Sequence, residues 1–244
     1  MTTTSNGHGV PPKARVAVDV VLLTISGAAL NVLLVQREKE PFEGAWALPG
    51  VFMRPDIDRD LPSAALRALR EKAGIAGGIR VKQRFAWHND VFDASWTLSV
   101  VYYAFADYTR IVSAINGNSL PGALAHVGRV PDETTGGLLV QPRLGTPDAE
   151  VVELAFAHSW LLGATIDDLQ NEVISSNLAL DALPETFTLR QLQTVYEGIL
   201  GRQLNKDSFR RSIIQSRGIV EPTEKWQTDV GHRPAQLYRR ARDI

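Results

Sequence analysis

The distribution of apolar residues predicts a mixed α/β arrangement in the first part of the chain. Two runs rich in β-branched and aliphatic residues, Arg15–Ile25 and Leu30–Gln36, predict strands separated by a turn at 26–29. The segment Ser63–Ala73 has the period of a helix, with Ser63 as its predicted N-cap. Further along the chain, the patterns predict a strand at Thr97–Phe105, a closing strand at Val151–Ala157 and a helix at Trp160–Ser175.

The segment between these predicted elements, Thr109–Gly137, is rich in Gly, Ser, Asn and Pro and shows no clear period. It is too long for an ordinary connection between two elements. Two interpretations fit the pattern equally well: a mobile flap over a ligand site, or an ill-ordered loop.

The last sixty or so residues follow a different, helical pattern. Thr188 and Gln191 have the spacing of a capping box, and Gly201 is placed to end the helix that Thr188 begins. The buried stripe of this helix consists of Leu189, Leu192, Val195, Tyr196 and Ile199.

A second helix is predicted to begin after Asn205 and to carry Phe209 and Ile213 on its core side. The positions on its opposite side are polar: Ser208, Arg211, Ser212 and Gln215, with Arg210 on the flank. Strands at 219–223 and Ala235–Arg240 would follow, joined by the basic hairpin tip 224–234. Two helices joined by a short turn and followed by a hairpin are typical of a winged helix-turn-helix that binds the major groove. A small helical cap that only packs against the first part of the chain is the alternative.

Composition narrows the class of protein. The chain has 44% hydrophobic and 22% charged residues, which is typical of a globular protein, and it has no cysteine that could form a disulfide or a thiolate metal site. It contains no apolar run of about eighteen residues, so we expect no membrane partner. Residues 1–12 are polar, are not a signal peptide, and predict a disordered leader; a cytoplasmic protein is expected. Residues 184–244 carry eleven Lys/Arg against seven Asp/Glu, although the net charge of the chain is −1.

The predicted helix at 63–73 resembles the end of the Nudix box, Arg-Glu-U-x-Glu-Glu-x-Gly-U, where U is a bulky aliphatic residue. Gly74-Ile75 fixes the register, which places Arg67 on the box arginine and Glu71 on one of the acidic positions. The segment 41–50, Pro-Phe-Glu-Gly-Ala-Trp-Ala-Leu-Pro-Gly, is similar to the one that leads into this box. Four positions depart from the pattern: Val51, Arg59, Ala68 and Lys72.

These departures bear on catalysis, because the box glutamates of Nudix hydrolases lie on one helix face and hold divalent metals. Only Glu71 remains of the three at the end of the box, so the sequence predicts a domain that binds a nucleoside diphosphate without hydrolysing it, with no catalytic residue and no metal site. Asp56, Asp58 and Asp60 in the preceding loop could donate oxygens, but a solvated acidic turn is the simpler interpretation.

Together, the two halves resemble the Nudix-related transcriptional regulators of NAD metabolism, in particular at 183–189, 196–202, 209–211 and 231–239. The resemblance implies an α+β architecture, a Nudix α/β/α sandwich with a mixed sheet (residues 13–176) followed by a winged helix-turn-helix domain (177–244). It further implies a homodimeric repressor of NAD biosynthesis or salvage genes that binds a pseudo-palindromic double-stranded DNA operator. The implied effector is ADP-ribose or another NAD-derived nucleotide, and no cofactor is required.

Two sets of site residues follow from these patterns. Effector contacts are predicted at Arg37, Phe42, Trp46, Arg67 and Glu71, although an i,i+4 salt bridge between Arg67 and Glu71 is an alternative role for that pair. DNA contacts are predicted at Thr188, Lys206, Ser208, Arg210, Arg211, Gln215, Lys225, Arg233 and Arg239. His88 and His158 are interpreted as ordinary core or surface histidines.

Two other functions remain open at this stage. An active ADP-ribose-type pyrophosphatase would have to rebuild its metal site from carboxylates such as Asp56, Asp58, Glu150 or Glu153. A Nudix-like protein-interaction module would not bind DNA at all. For a regulator, a small rotation at the domain junction, predicted at 175–185, would couple the effector to the DNA by changing the spacing of the two recognition helices.

Overall fold

The computed structural model describes residues 14–89, 96–117, 122–131, 138–228 and 234–241. The first half contains β1 (Arg15–Ser26), β2 (Ala29–Gln36), β3 (Trp46–Ala47), β4 (Gly50–Phe52), α1 (Leu61–Ala73), β5 (Lys82–Asn89), β6 (Thr97–Phe105), α2 (Tyr108–Gly117), β7 (Gly122–Pro131) and β8 (Leu138–Leu144). The second half contains α3 (His158–Val173), a 3-10 helix (Leu178–Ala182), β9 (Phe187–Thr188), α4 (Leu189–Leu200), α5 (Lys206–Arg211), a π-helical turn (Ser212–Arg217), β10 (Val220–Gln227) and β11 (Ala235–Arg240). The leader predicted at 1–12 lies outside the described residues. Within the described ranges, no helix is long and apolar enough to cross a membrane.

An eight-stranded mixed sheet organises the first half, with the strand order β5-β6-β1-β2-β7-β8; β3 pairs with β2 and β4 pairs with β1. β1 and β6 are parallel, whereas the other pairs are antiparallel. Both faces of the sheet are covered. Val18, Val20 and Leu22 of β1 pack against α1, while Val21 and Leu23 point to the other face and pack against α3. This two-residue alternation separates the two apolar layers of the domain.

Helix α1 begins earlier than predicted. Its N-cap is Asp60, whose side chain accepts from the Ser63 amide (2.8 Å), while the Ser63 hydroxyl accepts from the Asp60 amide (2.9 Å). Ser63 is therefore the third helical residue and not the N-cap. Pro62 obscured the start of the helix, although proline is tolerated in the first turn, where its missing N–H has no partner to lose.

The segment Thr109–Gly137 is neither a flap nor an ill-ordered loop in its described parts, so both interpretations of it were wrong there. It contains most of α2 and the whole of β7, which pairs with β2 from Asn31 to Val35 and with β8. The predicted strand at Val151–Ala157 was also wrong, since this segment makes only isolated bridges, through Val151 and Leu154.

The second half is a winged helix-turn-helix, and the predicted α+β fold is confirmed. Thr188 and Gln191 form the predicted capping box of α4, Gly201 ends that helix at φ 67°, and Asn205 caps α5. The wing strands β10 and β11 belong to a three-stranded sheet with β9, which the sequence patterns did not reveal. β10 extends to Gln227, so Lys225 and Trp226 lie on the strand and not on the hairpin tip.

The two halves share one apolar core. The cluster on the α3 face of the large sheet continues through Leu178 and Leu180 of the 3-10 helix into Leu192, Val195 and the other core residues of α4 and α5. Residues 175–185, predicted as the site of a rotation, therefore form a packed junction between the halves.

Candidate ligand cavity and DNA-binding surface

A cavity of about 340 Å³ lies on the α3 face of the large sheet. Its walls come from β1, the chain after β2, the β3–β4 region, the strands β5 and β6, and the N-terminal end of α3. Ala17 and Asp19 of β1 face this cavity, whereas Val18 and Val20 face α1 on the opposite side of the sheet. The box helix α1 is thus separated from the cavity by the sheet.

One end of the cavity is polar and buried. Asp19 is 5% exposed and His158 is 7% exposed, and His158 Nε2 lies 3.7 Å from Asp19 Oδ1. The backbone N–H of Leu48 donates to His158 Nδ1 at 2.9 Å. Burial lowers the pKa of His158 below its ordinary value, which favours the neutral imidazole. A Cβ atom at Gly50 would run into Asp19 Oδ1, so only glycine leaves room for this carboxylate.

Arg37 forms a second wall, as predicted for an effector contact. Its guanidinium lies 4.6 Å from the ring centroid of Phe156 and donates through Nε to the Pro41 carbonyl at 2.9 Å. The ring of Phe42 meets that of Phe156 edge-on at 4.9 Å, so Phe42 supports the cavity wall from outside. Partial burial lowers the pKa of Arg37, while Asp19 and Glu40 act in the opposite direction.

The third wall is aromatic and more open. The guanidinium of Arg15 lies 3.6 Å from the ring centroid of Phe52, which is 42% exposed. Trp87 lines the cavity from β5 and packs against Trp160 of α3 at a centroid distance of 5.1 Å. Aromatic rings beside two guanidiniums suit a ligand that combines a flat base with phosphates.

Arg67 and Glu71 do not line the cavity. Arg67 donates to both carboxylate oxygens of Asp58 at 2.7 Å, to the Phe52 carbonyl at 2.8 Å and to Glu71 at 3.1 Å. The hydrogen bonds with Arg67 hold the pKa of Asp58 below its ordinary value. The alternative role of the pair, an i,i+4 salt bridge, is therefore the one the structure shows. The predicted contact Trp46 lies in β3 and packs against the core, not in the cavity wall.

The loop before α1 is not a simple solvated turn, because Asp58 is buried beneath it at 5% exposure. Asp56 pairs with Arg54 at 2.7 Å, and Asp60 caps α1. Within the described ranges, no three His, Asp or Glu side chains are grouped to hold a metal. The box positions of α1 therefore do not fit the divalent cation that a Nudix box implies. Ala68 supplies no oxygen ligand, and the Glu71 carboxylate is paired with Arg67.

Sequence reasoning missed several residues of this cavity: Arg15, Asp19, Phe52, Trp87, Phe156 and His158. Asp19 carried a usable signal, because a carboxylate inside the apolar run Val-Asp-Val-Val needs a reason to be buried. His158 is a core histidine, as predicted, and it also lines the cavity beside Asp19. His88, in contrast, stacks on Trp96 at a centroid distance of 4.2 Å.

The polar face predicted for the second helix is exposed, while Phe209 and Ile213 are buried as expected. The exposed members are Lys206, Ser208, Arg210, Arg211, Ser212 and Gln215. The ring of Phe209 packs edge-on against Tyr196 of α4 at 5.2 Å. The burial of one face therefore fixes the orientation of α5 and leaves its cationic face free to approach a nucleic acid.

A buried glutamate holds the turn between the two helices. Glu197 is 6% exposed, and its Oε1 accepts from the Leu204 amide at 3.0 Å and from the Gln193 side chain at 2.9 Å. Gln193 also donates to the Leu204 carbonyl at 2.9 Å. These bonds give the backbone amide and carbonyl of Leu204 hydrogen-bond partners, so hydrogen bonds as well as packing fix the angle between α4 and α5.

Of the other four predicted DNA contacts, three lie within the described residues and have different surroundings. Thr188 is 5% exposed and its hydroxyl is used in the cap of α4, so the geometry gives it a structural role, contrary to the predicted contact. Arg239 pairs with Glu221 across the wing at 2.5 Å. Lys225 is exposed on β10 beside Trp226, which is 53% exposed. Arg233 lies outside the described residues.

Hydrogen bonds and ion pairs connect the helix-turn-helix to the large sheet. Arg129 of β7 donates to the Ile199 carbonyl at the C-terminal end of α4 (2.6 Å), and Gln170 of α3 donates to the same oxygen (3.0 Å). Asp181 of the 3-10 helix pairs with Lys82 of β5 (2.7 Å) and with Arg240 of β11 (2.8 Å). β5 also carries Trp87, so the same strand lines the cavity and is linked through Asp181 to the wing strand β11.

Comparisons with known proteins agree with this architecture. The family model for the NUDIX domain matches residues 13–122, and the family model for the NrtR DNA-binding winged helix domain matches residues 179–240. These two matches fall on the sheet domain and on the helix-turn-helix with its wing.

Similar proteins span nearly the whole chain. The ADPR responsive transcriptional repressor NtrR of Acinetobacter baylyi is 32% identical over 228 residues, which cover 93% of this chain and 82% of that protein. The crystal structure of Shewanella oneidensis NrtR complexed with a 27mer DNA superimposes with a TM-score of 0.74 at 31% identity and covers 93% of both chains. The structure of Shewanella oneidensis NrtR alone gives a TM-score of 0.72 at 29% identity, covering 93% of this chain and 94% of that one.

Proposed function

The chain belongs to the family of Nudix-related transcriptional regulators with an NrtR DNA-binding winged helix domain, and from that premise we propose that it is a repressor responding to ADP-ribose. Residues 13–176 sense the effector and residues 177–244 bind DNA. The genes it controls are those of NAD biosynthesis or salvage, and it acts in the cytoplasm. The observation that carries this proposal is the exposed cationic face of α5, on a chain that matches a relative solved with DNA over 93% of its length.

For the DNA-binding half, α5 enters the major groove and the wing reaches the backbone. Arg211 and Gln215 project from the exposed face of α5 and the turn after it, where they can contact base edges. Lys206 at the start of α5 and Lys225 on the wing contact phosphates. Arg210 on the flank of α5 adds to this backbone contact.

One helix-turn-helix reads only a half-site, so we propose that a homodimer binds a pseudo-palindromic operator. The two α5 helices would then lie about 34 Å apart, one turn of the DNA helix. Such spacing makes operator affinity sensitive to small changes in the relation between the protomers.

For the effector half, ADP-ribose occupies the cavity on the α3 face. Arg15 and Arg37 are the two guanidiniums in its walls and bind the diphosphate. Phe52 and Trp87 offer ring faces to the adenine. This assignment replaces Arg67 and Glu71, because the sheet separates them from the cavity and they are paired with each other.

The same site is not expected to hydrolyse its ligand. Metal-assisted cleavage of a diphosphate needs carboxylates that hold cations against the phosphates. Here Glu71 is bound to Arg67, Asp58 is bound to Arg67, and Asp60 is a helix cap. Bound ADP-ribose is therefore a signal that stays intact.

Coupling between the halves follows from differential affinity. A ligand that binds one arrangement of the dimer better than another shifts the equilibrium by that difference and by no more. A rotation at 175–185 would have to break the Asp181 ion pairs and the contact of Arg217 with Asn177 (3.3 Å). We therefore propose that the packed junction transmits the change from β5 to β11.

The experiment that tests the DNA-binding function is an anisotropy titration against the upstream regions of the NAD-biosynthesis genes in the source genome. It is run at physiological salt with excess competitor DNA, since basic proteins bind any DNA weakly. Specific binding at nanomolar protein is the expected result. Equal affinity for unrelated DNA would show that this chain is not an operator-binding repressor.

A further inference from the structure

The carboxylate of Asp19 is the unusual group in the ligand cavity. It is 5% exposed and lines the cavity, and its ion-pair partner among the described residues is His158. The distance from His158 Nε2 to Asp19 Oδ1 is 3.7 Å, which is beyond hydrogen-bonding distance. Burying a carboxylate is costly unless it receives hydrogen bonds, and a ligand in the cavity can supply a donor to Asp19.

The neighbouring imidazole is held in one orientation and one tautomer. Because the Leu48 amide donates to Nδ1, a neutral His158 carries its proton on Nε2, the nitrogen directed toward Asp19. Burial lowers the pKa of His158 and so favours that neutral form. The polar end of the cavity therefore presents one acceptor and one donor, 3.7 Å apart.

This pairing selects a chemical group. A phosphate or carboxylate would be repelled by Asp19, and an amine would satisfy Asp19 but face the His158 N–H. A carbonyl would satisfy His158 and leave Asp19 without a donor. A hydroxyl both donates and accepts, so it satisfies both side chains at once, and a vicinal diol can also occupy the second oxygen of the carboxylate.

We propose that Asp19 and His158 form the subsite for the terminal ribose hydroxyls of ADP-ribose, which makes them the residues that distinguish ADP-ribose from ADP. This inference rests on the proposed effector. The terminal sugar is assigned here because this end of the cavity is the buried one, whereas the larger adenine needs the open aromatic wall at Phe52. Arg37 lines the same cavity and its charge interacts with Asp19, so we assign it to the diphosphate that joins the sugar to the base.

Gly50 contributes to the same sugar subsite. It pairs with Asp19 in the antiparallel register of β4 and β1, and a Cβ there would displace Oδ1 of the carboxylate. Gly50→Ala should therefore weaken sugar binding without touching the charge of Asp19. It provides a second, independent variant for the test.

The test measures binding of three nucleotides to the full chain by isothermal titration calorimetry: ADP-ribose, ADP, and inosine diphosphate ribose, which keeps both sugars but lacks the adenine amino group. Asp19→Asn and Gly50→Ala are expected to lose about 10- to 100-fold in affinity for ADP-ribose. The affinity for ADP should stay within about threefold, and inosine diphosphate ribose should follow ADP-ribose in the wild type and both variants. Asp168→Asn, the same chemical change at a half-exposed carboxylate of α3, should bind as the wild type does.

Each other outcome overturns the inference in a recognisable way. Equal losses for ADP-ribose and ADP would place Asp19 on the shared adenosine diphosphate part and not on the terminal ribose. Weak wild-type binding of inosine diphosphate ribose would assign Asp19 to the adenine amino group. Wild-type affinity of folded Asp19→Asn for ADP-ribose would show that Asp19 binds no part of the ligand. Absence of ADP-ribose binding by the wild type would overturn the effector assignment itself, and the inference with it.

Discussion

Replacing Asp58 with asparagine tests the structural role of the box arginine. Asp58 and Arg67 have side-chain exposures of 2% and 8%, and two hydrogen bonds of 2.7 Å join them. Asparagine keeps the shape of the side chain but removes the charge and one acceptor. Arg67 would then keep only the Phe52 carbonyl and the half-exposed Glu71 as full partners.

The magnitude follows from the loss of a buried partner. Removing one member of a buried ion pair costs about 3–5 kcal/mol, because the remaining charge is left uncompensated. The pair lies under a single surface loop, where solvent screens it partly, so we expect the lower end, about 3 kcal/mol. Equilibrium urea unfolding at pH 7 measures this as a shift in midpoint with an unchanged slope.

The control variant changes another aspartate of the same loop. Asp56→Asn breaks an exposed pair with Arg54 and should leave the midpoint unchanged within error. Because hydrogen bonding to Arg67 lowers the pKa of Asp58, the stabilisation is present above the unfolded-state pKa and is lost as the pH falls through the folded-state value. The free energies of unfolding of the wild type and Asp58→Asn should therefore converge in strong acid. A loss below about 1 kcal/mol in Asp58→Asn would refute the assignment of Arg67 as a structural cation.

Three further predictions concern the junction, the cavity and the DNA surface. Arg129→Ala removes the cation that binds the C-terminal carbonyls of α4 and should lower the free energy of unfolding in urea by about 1.5–3 kcal/mol. Arg129→Lys should recover part of this loss. Equal stability of the wild type and both variants would contradict a stabilising role of Arg129. Burial lowers the pKa of His158 and His126, so the unfolded state binds more protons below about pH 6.5, and stability should fall on acidification from pH 7 to 5. His158→Gln should make that decline shallower, and an unchanged pH profile would argue against a neutral buried imidazole. Arg211→Ala should weaken operator binding by about 1–3 kcal/mol and change the affinity for unrelated DNA little. Lys225→Ala should weaken binding to both DNAs equally and reduce the salt dependence of binding. The reverse pattern would indicate that the wing, and not α5, contacts the base edges.

The sequence predicted the elements whose signals are local. The cap at Thr188, the end of α4 at Gly201 and the cap at Asn205 all depend on residues a few positions apart. The strand Ala235–Arg240 was predicted with the bounds it has, because alternating residues and flanking breakers define it. These features of the helix-turn-helix can therefore be predicted without knowledge of long-range contacts.

The elements that the sequence did not reveal depend on distant partners. β7 contains glycines and ends at Pro131, so its own pattern resembles a loop; it is a strand because β2 and β8 offer edges to pair with. β9 has two residues and exists only through its pairing with β11.

The ligand cavity shows the same limit. Its acidic and imidazole groups, Asp19 and His158, are far apart in the chain, and only the packing of α3 on the sheet brings them together. Arg67 and Glu71 were chosen from the box pattern, which gives their spacing but not the face of the sheet on which α1 lies. Arg37, predicted as an effector contact, lines the cavity, and its contact with the effector stays a prediction.

The most direct test of the account is an effector titration of the operator complex. The protein is bound to labelled operator at physiological salt, and ADP-ribose, NAD and nicotinamide mononucleotide are added separately while anisotropy is recorded. The account predicts that ADP-ribose changes operator affinity by about tenfold or more, a coupling of about 1.4 kcal/mol, and that Asp19→Asn needs correspondingly more ADP-ribose for the same change. Operator affinity that stays constant at saturating concentrations of all three nucleotides would contradict the claim that the Nudix-like half is the sensor of this repressor.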